Sequence, residues 1–152
     1  MHQPTIGTGE ARTPPSMKRI FVFNGDADGL CALQQLQRVE TPAADVLVTG
    51  PKRRTALVQE AAASSGDTVT VLDLSFDTNR DAVERLLAAG VRVRYFDHHH
   101  RGELRGHPHL DAHIDTSPDV CTSVIVDLYL GGTQRIWAVV GAFGDNLDET
   151  AV

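Results

Sequence analysis

Long hydrophobic runs are missing from this 152-residue chain. No apolar stretch approaches the roughly 20 residues a membrane-spanning helix needs, so no membrane partner is expected. Cysteine is scarce: Cys31 and Cys121 lie far apart in apolar contexts. They can form neither a disulfide framework nor a Cys-x-x-Cys site, and buried thiols of this kind fit a reducing cytoplasm. Aromatic residues make up 5%, so the core must be mostly Val, Leu, Ile and Ala. Basic charge is in the minority, with Lys+Arg 14 against Asp+Glu 20 and a formal net charge of -6. That balance argues against a broad nucleic-acid-coating surface. It does not exclude a small phosphate-bearing substrate, because a metal site brings its own positive charge. A secretory signal is also lacking, since residues 1–16 are polar and Pro-containing without a charged-then-apolar layout. Residues 1–17 read as a disordered leader, with Met17 a plausible alternative start, and 18–152 as one domain.

From Lys18 onward, short apolar runs alternate with helical patterns. Strands are expected at 19–23 (RIFVF), 45–49 (DVLVT), 68–72 (TVTVL) and 91–96 (VRVRYF), with a shorter one near 112–114. Helices are expected at 29–39, with Leu30, Leu33, Leu36 and Val39 on one face, and at the Ala-rich stretch 53–63. Pro42 closes the first of these units. A further helix is expected at 79–89, capped by Asp77 or Thr78 and ended by Gly90. Two more are expected at about 121–130 and 134–143. Continuous apolar strands alternating with helices indicate an α/β fold, a parallel sheet covered by helices on both faces.

In such a sheet, ligands bind outside the carboxyl ends of the strands. Asp26 and Asp28 follow the first strand, Asp73 the third, and Asp97, His98, His99 and His100 the fourth. Three strand ends thus deliver acids and imidazoles to one edge. Taken singly, Asp26-Ala27-Asp28-Gly29 and Asp73 are also explained as helix caps or turns. The run from Asp97 to His100 is harder to explain that way, because neutral imidazole is a common metal ligand and crowded imidazolium is costly. Mixed carboxylate and imidazole donors favour Mn²⁺, Fe²⁺, Zn²⁺ or Mg²⁺. A pair of such ions can activate water and clamp phosphoryl oxygens.

These residues, in this order, resemble the DHH phosphoesterase superfamily, which includes RecJ-like exonucleases, oligoribonucleases, cyclic-dinucleotide phosphodiesterases and manganese-dependent pyrophosphatases. The acid-rich turn is matched by Asn24-Gly25-Asp26-Ala27-Asp28-Gly29, and the lone aspartate after an apolar strand by Val71-Leu72-Asp73. Asp97-His98-His99 matches the name-giving triplet and Gly144-Asp145-Asn146 the late aspartate. The resemblance implies a metal-dependent hydrolase of a phosphodiester or phosphoanhydride. Asp26, Asp28, Asp73, His98 and Asp145 would be metal ligands, Asp73 as the bridge. His99 would act at the phosphate, Asp97 would orient His98, and His100 would be a surface residue. Two Mn²⁺ ions are implied, with Mg²⁺ or another divalent metal as the alternative. The substrate would be a phosphate-containing small molecule or short oligonucleotide.

Two departures stand out. Val22 and Asn24 occupy positions where many members carry a His or another Asp. Asn24 can ligate only through its carbonyl oxygen and Val22 not at all. The usual C-terminal substrate domain, with its Gly-rich, His-containing loop, has no counterpart, so the chain is expected to be a catalytic domain truncated at its C-terminus. Phosphate contacts are then sought at Pro51-Lys52-Arg53-Arg54, Thr116-Ser117 and Thr122-Ser123. His107, His109 and His113 read as surface residues. One alternative is a non-catalytic DHH-like module that binds a nucleotide or partner. Another is a haloacid-dehalogenase-like phosphatase with Asp26 as nucleophile. That mechanism wants a late lysine, whereas the only lysines are Lys18 and Lys52, and it leaves Asp97-His98-His99 unexplained.

Overall fold

The computed structural model describes residues 17–41 and 46–151; residues 1–16 of the expected leader, together with Pro42 and Asp45, lie outside them. Five strands, β1 (Arg19–Asn24), β2 (Val46–Gly50), β3 (Thr68–Leu72), β4 (Arg92–Asp97) and β5 (Leu110–Ile114), form one sheet in the order β2-β1-β3-β4-β5. Every neighbouring pair is parallel. Alternation along the strands sends Ile20, Val22, Val69, Val71, Val93 and Tyr95 to one face and Phe21, Phe23, Leu72 and Phe96 to the other. Both faces are covered, which explains why the strands read as continuous apolar runs.

The first face is covered by helix α2 (Phe76–Ala88), which buries Phe76, Val83, Leu86 and Leu87. The second is covered by α1 (Ala27–Val39) and α3 (Thr122–Tyr129), with α4 (Arg135–Gly144) packed on those two helices. No helix among the described residues is long and apolar enough to cross a membrane.

Three expectations change. Residues 53–63 are not a helix; only a short 3-10 turn, Val58–Glu60, forms there. Adjacent Leu57 and Val58 both enter the core, and Asn79 holds the segment by accepting from Val58 N–H (3.2 Å) and donating to the Thr55 carbonyl (2.8 Å). Helix α1 presents Ala32, Leu33, Leu36 and Gln35 inward, leaving Leu30 and Val39 exposed, because it serves α3 and α4 as well as the sheet. Gln35 accordingly donates to the Ser123 carbonyl at 3.0 Å. Helix α2 starts at Phe76 rather than Asn79, and neither Asp77 nor Thr78 caps it; Ser75 is the boundary residue.

The topology fixes where a ligand can enter. The chain leaves β1 toward β2 and then returns to the other side of β1 for β3, so adjacent β1 and β3 mark the switch point of the sheet. Register pairs Phe23 with Leu72 and Leu72 with Phe96. Asn24, Asp73 and Asp97 therefore leave their strands at the same level.

Candidate metal centre

Asp73 follows β3 directly and has φ 58°, a left-handed conformation that Asp tolerates better than most residues. Its N–H donates to the Phe96 carbonyl (3.0 Å), and the Tyr95 hydroxyl donates to the next carbonyl, Leu74 (2.7 Å). The turn is thereby fixed against β4, and the buried Asp73 carboxylate is aimed across the switch point. Thr122 Oγ1 lies 3.2 Å from Asp73 Oδ1, and Asn24 Nδ2 donates to Asp73 Oδ2 at 3.2 Å.

Asp26 is the N-cap of α1: Oδ1 accepts from Gly29 N–H at 3.1 Å. Oδ2 accepts from Asn24 Nδ2 (3.2 Å) and pairs with Lys52 Nζ (3.2 Å). Asn24, buried at the end of β1, thus bridges two carboxylates through its amino group. Its Oδ1 has no hydrogen-bond partner among the described residues. Flipping the amide would set that oxygen against two carboxylates, so the orientation is fixed by its neighbours. Val22, in contrast, is fully buried in the core beneath α2.

Asp145 reaches the centre from the far end of the chain as the C-cap of α4. Small residues let that helix come close. A Cβ at Gly141 would lie 2.1 Å from Ser123 Oγ, and one at Gly144 would lie 2.4 Å from the Ala27 Cβ. His98 stands between the elements, its Nε2 3.4 Å from Asp73 Oδ1, 3.4 Å from Asp145 Oδ2 and 3.9 Å from Asp28 Oδ2. Asp73, His98 and His99 form one group of potential ligand atoms within 4.8 Å of one another, and Asp28, His98 and Asp145 form a second.

One role differs from expectation, and one candidate ligand carries a second duty. Asp97 does not steady His98; its Oδ1 lies 2.6 Å from His99 Nδ1. The chain bends at His99 just after β4 ends at Asp97, and that brings 97 and 99 together. Asp28, whose Oδ2 stays 3.9 Å from His98 Nε2, also reaches the start of α3. It accepts from Thr122 N–H at Oδ2 (2.8 Å) and Ser123 N–H at Oδ1 (2.7 Å), with the Ser123 hydroxyl also against Oδ1. Thr122 and Ser123, sought as a phosphate contact, are therefore occupied by Asp28 and Asp73. Thr116 and Ser117 are exposed, and Ser117 closes a local turn on Asp115. Arg54 pairs with Glu60, which leaves Lys52 as the member of its run at the centre. His107 and His109 are exposed, while half-buried His113 stacks on Phe96. His100 is exposed.

Electrostatics follow from this crowding. Burial, reinforced by the charges of Asp28 and Asp26, lifts the Asp73 carboxyl to about 7. Burial pulls His98 down, but contact with Asp73 and the charges of Asp28 and Asp145 outweigh it and raise His98 to about 9. The Asp97 contact raises His99. Desolvation pushes Asp26 up, yet Gly29 N–H, Asp73 and Lys52 together hold it below the ordinary carboxylate range.

The donor set fits divalent cations of intermediate hardness. Oxygens from Asp26, Asp73 and Asp145 and nitrogens from His98 and His99 converge on one cavity of about 190 Å³, also lined by Asn24, Lys52, Thr55, Ser75 and Thr78. Ligand atoms about 2.0–2.2 Å from an ion stand about 3–4.4 Å apart, which the observed groups allow.

No protein-family model and no curated protein matches the chain. Solved structures do. A manganese-bound RecJ exonuclease superposes with a TM-score of 0.59 at 23% identity, covering 88% of this chain and 42% of its own. RecJ from Thermus thermophilus, in complex with Mn²⁺, gives 0.52 at 26% identity over 84% of this chain and 22% of its own. Over most of its length the chain shares the fold of these RecJ exonucleases. Its five-stranded parallel sheet with flanking helices matches the DHH domain of RecJ, and it spans less than half the length of either exonuclease.

Proposed function

We propose that this DHH-like domain is a metal-dependent phosphoesterase that hydrolyses a phosphodiester or phosphoanhydride. The observation that carries this reading is His98 Nε2 standing 3.4 Å from both Asp73 and Asp145, side chains from β4, β3 and α4 brought to one point. The manganese-bound state of the RecJ structures supports Mn²⁺ as the cofactor. Asp26, Asp73, His98 and Asp145 would hold the ions, with Asp73 between them. Asp28 would join His98 and Asp145 at one ion through the lone pairs that its bonds to α3 leave free. Two divalent cations there would supply an activated water and clamp the phosphoryl oxygens.

The chain's own residues divide the remaining work. Asp97 holds His99 by Nδ1, which keeps Nε2 available to donate to a phosphoryl or leaving-group oxygen. Arg80 donates to the carbonyls of Arg101 and Glu103, steadying the segment that follows the histidines. A covalent mechanism on Asp26 would leave His98, His99 and Asp145 without a task at the same cavity.

Calorimetric titration with Mn²⁺, combined with hydrolysis of an aryl phosphodiester, tests the reading. Two ions bound with turnover, both lost in Asp73→Asn, are expected. Wild-type turnover in Asp73→Asn overturns it.

A further inference from the structure

Lys52 is the one Lys or Arg, among the described residues, that lines the cavity above Asp26, Asp73, His98 and Asp145. Every other charged wall is carboxylate or imidazole, and Thr55, Ser75 and Thr78 bring hydroxyls only. A substrate phosphate entering here therefore has one fixed protein cation to meet. That cation is already engaged, with Lys52 Nζ 3.2 Å from Asp26 Oδ2. The other Asp26 oxygen is committed to Gly29 N–H, so Oδ2 is the one left to face the cavity. A divalent ion and an ammonium cannot both sit at contact distance from one oxygen without strong repulsion. The side chain can leave: it is 65% exposed, on a flexible four-carbon stem.

We propose that Lys52 is an exchangeable counter-ion. It holds Asp26 until a divalent cation takes that oxygen, and the displaced ammonium then binds a phosphoryl oxygen of the substrate. This rests on the phosphoesterase reading and names the residue that meets the substrate phosphate.

The test uses the full chain with Lys52→Met and Lys52→Arg, read by Mn²⁺ calorimetry and by inorganic phosphate binding to the Mn²⁺-loaded protein. Lys52→Met removes a competitor for Asp26, so it should bind Mn²⁺ about three- to fivefold more tightly, the scale of one exposed ion pair. The same variant should bind phosphate several-fold more weakly, and Lys52→Arg should restore that binding. A merely structural lysine would not strengthen metal binding when lost. Unchanged or weaker Mn²⁺ affinity in Lys52→Met, or unchanged phosphate binding, overturns the exchange. Wild-type protein that binds no Mn²⁺ instead overturns the phosphoesterase reading beneath it.

Discussion

The Ser123 backbone N–H donates to Asp28 Oδ1 at 2.7 Å and ties the first turn of α1 to the first turn of α3. Two aspartates two positions apart thus carry different structural loads. Asp26 faces the cavity, while Asp28 satisfies a helix start that would otherwise carry buried, unpaired donors.

Substitution should separate those duties. Asp28→Ala leaves two N–H groups unpaired, while the Ser123 hydroxyl keeps the carbonyl of residue 28 at 2.9 Å, and should cost on the order of 3 kcal/mol of stability. Asp28→Asn keeps one acceptor and should cost about 1–2 kcal/mol. Asp26→Asn should instead lower Mn²⁺ affinity with a smaller change in denaturation midpoint. Chemical denaturation beside calorimetry checks the pair; a stable Asp28→Ala that merely loses metal would reverse the assignment.

The strands were legible because β-branched runs buried on both faces leave little choice, and the acids at their ends were legible because each run stops at one. The duty of Asp28 was not, since its partners lie 94 and 95 residues away. Nor was the inward face of α1. Leu30 and Val39 look like core by spacing, yet α3 and α4 claim Ala32 and Gln35 instead. The stretch 53–63 misled through its alanines, whose helix propensity yields to the burial of Leu57 and Val58. Asn24 and Lys52 were visible as residues, but their contacts with Asp26 depend on loop geometry that no spacing encodes.

Acidity gives a second expectation. The folded protein holds protons more tightly than the unfolded chain at Asp73, about 7 against 3.8, and at His98, about 9 against 6.5. Stability contributed by His98 is complete below about pH 6.5 and is lost as pH rises through 9, and Asp73 ionisation erodes stability over the window up to 7. Metal-free protein should therefore melt at progressively lower temperature from pH 5 to pH 9. Mn²⁺ needs the deprotonated ligands, so its stabilising increment should grow over the same range. Scanning calorimetry with chelator and with Mn²⁺ reads both trends; a metal-free midpoint that climbs between pH 6.5 and 9 contradicts the first.

Asp97→Asn should leave the Mn²⁺ stoichiometry intact and reduce turnover about 10- to 100-fold, the usual scale for losing an orienting partner. The contact with Asp97 raises His99. In the variant, the His99 imidazole should accordingly titrate at lower pH by NMR. An unmoved titration would show that Asp97 does not govern His99. Exposed His100 serves as the control, with His100→Ala expected to change turnover little.

Asn24→Asp replaces two N–H donors with a third carboxylate beside Asp26 and Asp73. Without metal the repulsion should lower the melting temperature. With Mn²⁺ the added charge should tighten binding about tenfold or more and enlarge the thermal shift. Equal losses in both conditions would mean that Asn24 only bridges its neighbours.

The groups that meet at His98 come from residue 73 near the middle of the chain and residue 145 near its end, on a sheet whose strands all pair in parallel across long crossovers. Such pairings form late and slowly, because loop closure must precede them. No early fragment can assemble the cluster, so an ion captured there is bound only by chains that have finished folding. The metal then acts chiefly on the unfolding rate, and its loss should show first as a shortened lifetime of the native state.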